Sequence, residues 1–195
     1  MSSSSDGSAK PIIEFSALRC PGQDAPLSFA LRPGLTFISG GEGRGKSSLL
    51  GLIANAAQVQ GLSVWLEQPA DAAHDPTVAR TWLDERRAAH PAWNDALQAA
   101  LVQAFALDEH LEKPMYMLSA GSRRKLGLVG AAASGAIVTL LDVPFAAIDM
   151  RSARVLGELL ADAAEDEARA WVLADYALPA VLEDVALAGE IALGD

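Results

Sequence analysis

One stretch, Gly40-Gly41-Glu42-Gly43-Arg44-Gly45-Lys46-Ser47-Ser48, constrains this chain more than any other. From Gly40 to Ser47 it holds the pattern Gly-x-x-x-x-Gly-Lys-Ser. A β-rich run, LTFIS at 35–39, leads into it, and SSLLGLIANAAQ at 47–58 leaves it with apolar residues at helical spacing. Glycines let the backbone curl until several N–H groups point inward at phosphate oxygens. The start of the following helix adds partial positive charge. By composition alone the bare pattern would arise in on the order of 1% of chains of this length, and the strand–loop–helix setting makes coincidence rarer still. The pattern assigns Lys46 to the β- and γ-phosphates and the Ser47 hydroxyl to Mg²⁺. Gly40, Gly41, Gly43, Arg44, Gly45 and Ser48 complete the candidate phosphate cradle. Glu42 would repel phosphate if it turned inward, so it faces solvent or is offset by Arg44.

The remaining pattern fits an α/β chain with crossovers. PIIEFSAL (11–18) and LSFALR (27–32) alternate in the strand manner across a Pro/Gly/Asp turn and read as an antiparallel pair. SVWLE (63–67) is a further strand after Gly61. Residues 71–117 are rich in Ala, Leu, Trp and charge; Pro91 divides them into at least two helices, and they read as a small helical insertion. Residues 122–133 are another helix. AIVTLLD (136–142) and AWVLAD (170–175) are nearly continuous apolar runs, as expected of strands buried on both faces of a parallel sheet. A helix from about Arg151 to Ala168 joins them. VALAGEIALGD at the end reads as two short strands around Gly189. The expectation is a tail over 1–10 and one domain over 11–195.

Composition narrows the class. A formal net charge of −10 argues against duplex DNA or an anionic lipid face as the main partner. The single cysteine, Cys20, excludes a disulfide within the chain and fits a reducing compartment. MSSSSDGSAK has no apolar core of a signal peptide, and the apolar stretch 126–141 is too broken by Gly and Ser to span a membrane. These readings place the chain in the cytoplasm, with room for peripheral attachment to a membrane partner.

A second set of residues narrows the function. LSAGS (118–122) lies between the helical insertion and the strand AIVTLLD, where Ser119 and Gly121 can offer a hydroxyl and a bare N–H at a helix start. Alone it is an ordinary helix cap. With the loop at 40–48, however, the chain resembles the ABC-type ATPases, of P-loop NTPase (RecA-like) fold. LSAGS looks like their signature loop, AIVTLLDVP like their Walker B strand, AAID (146–149) like their D-loop, and Gln68 in WLEQP is placed like their Q-loop glutamine. VALAGEIALGD is similar to their C-terminal hairpin. The short chain and the LSAG variant look closest to the ATP-binding subunits of heme-exporter-like systems.

The resemblance implies a mechanism. Two subunits, alike or different, would sandwich two ATP molecules head to tail. Lys46, Ser47 and Asp142 of one chain would meet Ser119, Ala120, Gly121 and Ser122 of the other across each nucleotide. Ser47, Gln68 and Asp142 would attend Mg²⁺. Closing and reopening would drive an integral membrane subunit that touches the helical insertion, a population shift set by a ligand preferring the closed state.

The chain departs from that family at two positions. Val143 stands where the family has the glutamate that aligns the attacking water, and Tyr176 where it has a histidine on the γ-phosphate. Losing a positioned base costs about 10²- to 10⁴-fold in rate, so the expectation is ATP binding with weak or slow hydrolysis. Asp175 is either a substitute acid or a strand-end cap. Arg19 either covers the base in place of the family's aromatic or is a solvated turn residue. His74, His90 and His110 lack metal spacing. Arg123, Arg124 and Lys125 are solvated or lie near a dimer interface. Two other readings stay open: an ATP-controlled assembly module without significant turnover, and a small-molecule kinase, which would leave LSAGS and Gln68 as coincidences.

Overall fold

The computed structural model describes residues 10–67 and 72–194. Most of the expected N-terminal tail, and Gln68, lie outside the described residues. The chain opens with an antiparallel hairpin, β1 (Ile13–Leu18) and β2 (Leu27–Leu31), in which Phe15 faces Phe29 with ring centroids 4.6 Å apart. Five further strands form one parallel sheet: β3 (Gly34–Ser39), β4 (Val64–Leu66), β5 (Val138–Asp142), β6 (Ala170–Asp175) and β7 (Gly189–Ala192), in the order β4-β5-β6-β3-β7. As the apolar runs require, β3, β5 and β6 are buried along nearly their whole length. Alternate residues feed two cores. Phe37, Leu141, Trp171 and Leu173 pack on one face, and Ile38, Leu140, Val172 and Ala174 on the other.

Helix α1 (Lys46–Val59) leaves β3 through the glycine loop and covers the second face together with the hairpin. The first face is covered by α4 (Ala120–Ala133) and α5 (Met150–Ala164). Each fully buried Leu or Ile in these layers stabilises the fold by roughly 1.5–3 kcal/mol. Between β4 and α4 lie α2 (Ala79–Ala89) and α3 (Asp95–Ala104), separated at Pro91 as the sequence requires. The ends of this segment are stitched together. Val78 bridges Pro114, Ala79 N–H donates to the Lys113 carbonyl and Met115 N–H to that of Thr77.

Two expectations are corrected. The helix expected to run to Ala168 stops at Ala164, because the Asp166 carboxylate accepts from the N–H groups of Ala168 and Arg169 and turns the chain into β6. The two strands expected around Gly189 are one. Val185 and Leu187 pack against the first core, whereas Gly189–Ala192 joins β3 in parallel as an edge strand, so there is no C-terminal hairpin among the described residues. Nor is any described helix long and apolar enough to cross a membrane.

Candidate functional site

The site lies beyond the carboxyl ends of β3, β5 and β6, where ligands of open α/β sheets bind. The loop after β3 curls through Gly43 at φ 71° and Gly45 at φ 89°, and Gly45 caps α1 without a side-chain bond to its first amides. No N-cap side chain bonds the N–H groups at the start of this fourteen-residue helix, an arrangement that suits an anion. The loop also has an outer support. The turn between β1 and β2 lies against it, with the Gln23 amide donating to the Arg44 carbonyl at 2.9 Å and the buried Cys20 thiol to that of Gly45 at 3.6 Å. A side chain at Gly45 would drive into the Pro21 carbonyl. Glu42 is exposed, as expected.

Lys46 is only 7% exposed, and its ammonium donates to the carbonyls of Gly40 at 2.6 Å and Gly41 at 2.9 Å. The Tyr176 ring lies over it, its centroid 4.1 Å from Nζ. The Ser47 hydroxyl donates to the Asp142 carboxylate, which reaches across from the end of β5. A cavity of about 430 Å³ opens between them, walled by loop residues 41–48 and by Arg124, Asp142, Val143 and Tyr176. The structure thus brings Gly41, Gly43, Arg44, Gly45, Lys46, Ser47, Ser48, Asp142, Val143 and Tyr176 around one space, with Gly40 behind Lys46. Asp175 is buried beneath it and accepts from the Tyr176 N–H at 2.7 Å; burial raises its pKa, a bonded strand-end acid. Arg19 is exposed on the hairpin turn.

Val143 adopts a left-handed conformation, φ 46°. For a β-branched residue this is a true outlier, and such backbone costs on the order of 1–3 kcal/mol. Four bonds hold the turn: the Val143 N–H donates to the Ala174 carbonyl at 2.8 Å, its carbonyl accepts from the Ala146 N–H at 3.1 Å, and Arg124 Nη1 donates to the carbonyls of Asp142 and Val143 at 2.8 and 2.7 Å. Arg124 is therefore turned inward. So are its neighbours: Arg123 pairs with Asp75 at 2.6 Å, and Lys125 donates to the Phe105 carbonyl. The reading of 123–125 as solvated misses this. Glu67, at the end of β4, is also missed. It is 2% exposed, its carboxylate oxygens have no hydrogen-bond partner among the described residues, and Arg124 is 3.7 Å away. Burial pushes its pKa up to about 7 against the pull of Arg124. The available signal was a lone acid closing an apolar strand, WLE.

The residues of LSAGS occupy the start of α4. Ser119 caps the helix, accepting from the Ser122 N–H at 3.0 Å and donating to its hydroxyl. Ser119 and Ala120 are exposed, Gly121 is half-buried and Ser122 is buried. Ala147, itself left-handed at φ 61°, lays its carbonyl so close to Gly121 that no side chain fits there. Residues 119–122 thus lie outside the lining of the cavity at the glycine loop.

No protein-family model and no curated protein matches the chain. Solved structures do. A Pyrococcus furiosus protein described as an ABC transporter ATP-binding protein superposes with a TM-score of 0.70 at 18% identity, over 92% of this chain and 96% of its own. The ATP binding subunit of an ABC transporter gives 0.68 at 16% identity, over 86% of this chain and 80% of that one. A chain from the complex of archaeal ribosomal stalk protein aP1 with ribosome recycling factor also gives 0.68, at 14% identity, over 86% of this chain and 34% of that one. These likenesses establish the fold: a P-loop NTPase core, with an added antiparallel β element, of the kind found in ABC ATP-binding subunits.

Proposed function

We propose that this chain is the ATP-binding subunit of an ABC-type membrane transporter complex, holding Mg-ATP at a two-subunit interface and hydrolysing it slowly. One observation carries the reading. Lys46, the Ser47–Asp142 oxygen pair and the uncapped start of α1 converge on one cavity, while Ser119 stands exposed on a separate surface. That division suits a nucleotide gripped by one chain and covered by another. A hydroxyl and a carboxylate in hydrogen-bond contact are hard oxygen ligands of the sort Mg²⁺ takes alongside phosphates. Ser47 and Asp142 would therefore hold the metal, whose charge would offset that of the phosphates; Gln68 is the third expected contact.

The chain's own residues divide the remaining work. The cradle 40–48 binds and orients. Lys46 must exchange its loop carbonyls for phosphate oxygens, and Tyr176 must yield from above it. Val143 offers no acceptor to a water's proton, so slow turnover follows. The partners in this reading are a second ATPase subunit, identical or not, and an integral membrane subunit on the inner face of the cell membrane. The LSAG variant favours a heme-exporter-like system. The missing base equally favours a second reading, an assembly module clamped by ATP with little turnover.

Calorimetry and light scattering on the purified chain test the proposal. Binding of Mg-ATP with ATP-dependent dimerisation is the expected result, and absence of adenine-nucleotide affinity overturns it. Brisk single-turnover cleavage by a homodimer overturns the slow-hydrolysis part. Copurification with a multi-span membrane protein separates transporter from assembly module.

A further inference from the structure

Arg124 is the one cation of α4 that reaches both the phosphate cavity and the backbone beneath it. Its Nη1 donates to the carbonyls of Asp142 and Val143, the two residues that carry the β5 strand into its left-handed turn. The same nitrogen lies 3.7 Å from the Oε2 of Glu67, whose side chain is 1% exposed. Glu67 fits because position 127 is glycine: any side chain there would meet Glu67 Oε1 at 2.8 Å. Positions 124 and 127 share a helix face, so α4 supplies both the arginine and the space for its counter-charge. A buried carboxylate without hydrogen bonds is a costly feature, and an apolar residue would pack there more cheaply. A planar guanidinium suits the junction because its donors point in fixed directions.

We propose that Arg124 is a positioning residue for Asp142. Held against the end of β5 by Glu67, it fixes the turn from which the Asp142 carboxylate reaches Ser47. Asp142 touches the nucleotide's metal in the function proposed above, and this inference rests on that reading. Arg124 acts through the backbone. The left-handed state of Val143 is what it maintains, and with that state the direction of the Asp142 side chain.

A variant lacking only Arg124 would strand the Glu67 charge, so the test uses Arg124→Met with Glu67→Gln in the full chain. First, amide hydrogen exchange is read in nucleotide-free protein. The Val143 N–H, bonded to Ala174, should exchange faster than in the unaltered chain, while amides of β3 and α1 keep their protection. Second, ATP affinity is titrated with Mg²⁺ and again with EDTA. The magnesium-dependent affinity should fall about 10- to 100-fold, the usual cost of losing a group that orients a metal ligand, and the EDTA affinity should stay. Third, Val143→Gly in that background should recover the magnesium-dependent part, because glycine adopts positive φ without strain. Unchanged exchange at Val143, equal losses with and without magnesium, or failure of glycine to restore binding each overturn the proposal. If the unaltered chain binds no Mg-ATP, the functional reading falls, while the exchange experiment still decides whether the clamp exists.

Discussion

Position 143 joins two oddities: a side chain that cannot take a proton, on backbone that valine disfavours. They are separable by substitution. Val143→Glu supplies the acceptor that the site lacks, and single-turnover phosphate release should rise by about 10²-fold or more. Val143→Gly removes the strain at φ 46°; the relief exceeds the added chain entropy, so urea unfolding should show a gain of about 1 kcal/mol. At this scale the sequence was informative wherever chemistry follows from identity. That loop residues 41–48, Asp142, Val143 and Tyr176 gather around one space could be anticipated from their identities, and they do gather there. It was silent wherever chemistry follows from what lies opposite. Arg123-Arg124-Lys125 looks like a wet helix face because nothing in the triplet announces two strand-end carbonyls and a buried glutamate across from it.

Glycines inside helices show the same division between elements. In α1, a Cβ at Gly51 would meet nothing within 4 Å among the described residues beyond its chain neighbours and the backbone of its own helix. Gly51→Ala should therefore realise the ordinary helix gain of about 1 kcal/mol in thermal or urea unfolding. In α4, a Cβ at Gly130 would run into the Trp65 ring. Gly130→Ala should destabilise the fold by about 1–3 kcal/mol despite the better helix former. Element order and type were legible because periods of 2 and 3.6 survive in the sequence, down to the break at Pro91. Ends and pairing were less so. The acidic run beyond Ala164 scans as helix until Asp166 captures two amides, and Val185–Ala188 scans as strand although its apolar side chains go to core packing.

Across the whole molecule, the sheet holds two cores apart and leaves its carboxyl edge for polar work, and Glu67 is the charge buried deepest at that edge. Its folded pKa, about 7, stands above the ordinary 4.5. The folded state therefore holds this proton more tightly than the unfolded chain. Stability from this group is full below pH 4.5 and declines as pH rises through 7, by an amount on the order of 3 kcal/mol. Unfolding measured across that window should slope downward with pH, and Glu67→Gln should flatten the slope. The parallel sheet and its crossovers could be anticipated from the apolar runs; a buried acid at the sheet edge could not, since a strand ending in Glu usually ends in water.

The packing of the hairpin turn beneath the loop bears on how such loops should be interpreted. Gly45 is compelled by Pro21, a residue that never meets a phosphate, so a descendant that had abandoned nucleotides would still be obliged to keep it. Lys46, whose ammonium donates to its own loop beneath the Tyr176 ring, is under no such obligation, and in the function proposed above it is there that the loss of the ligand would first be written.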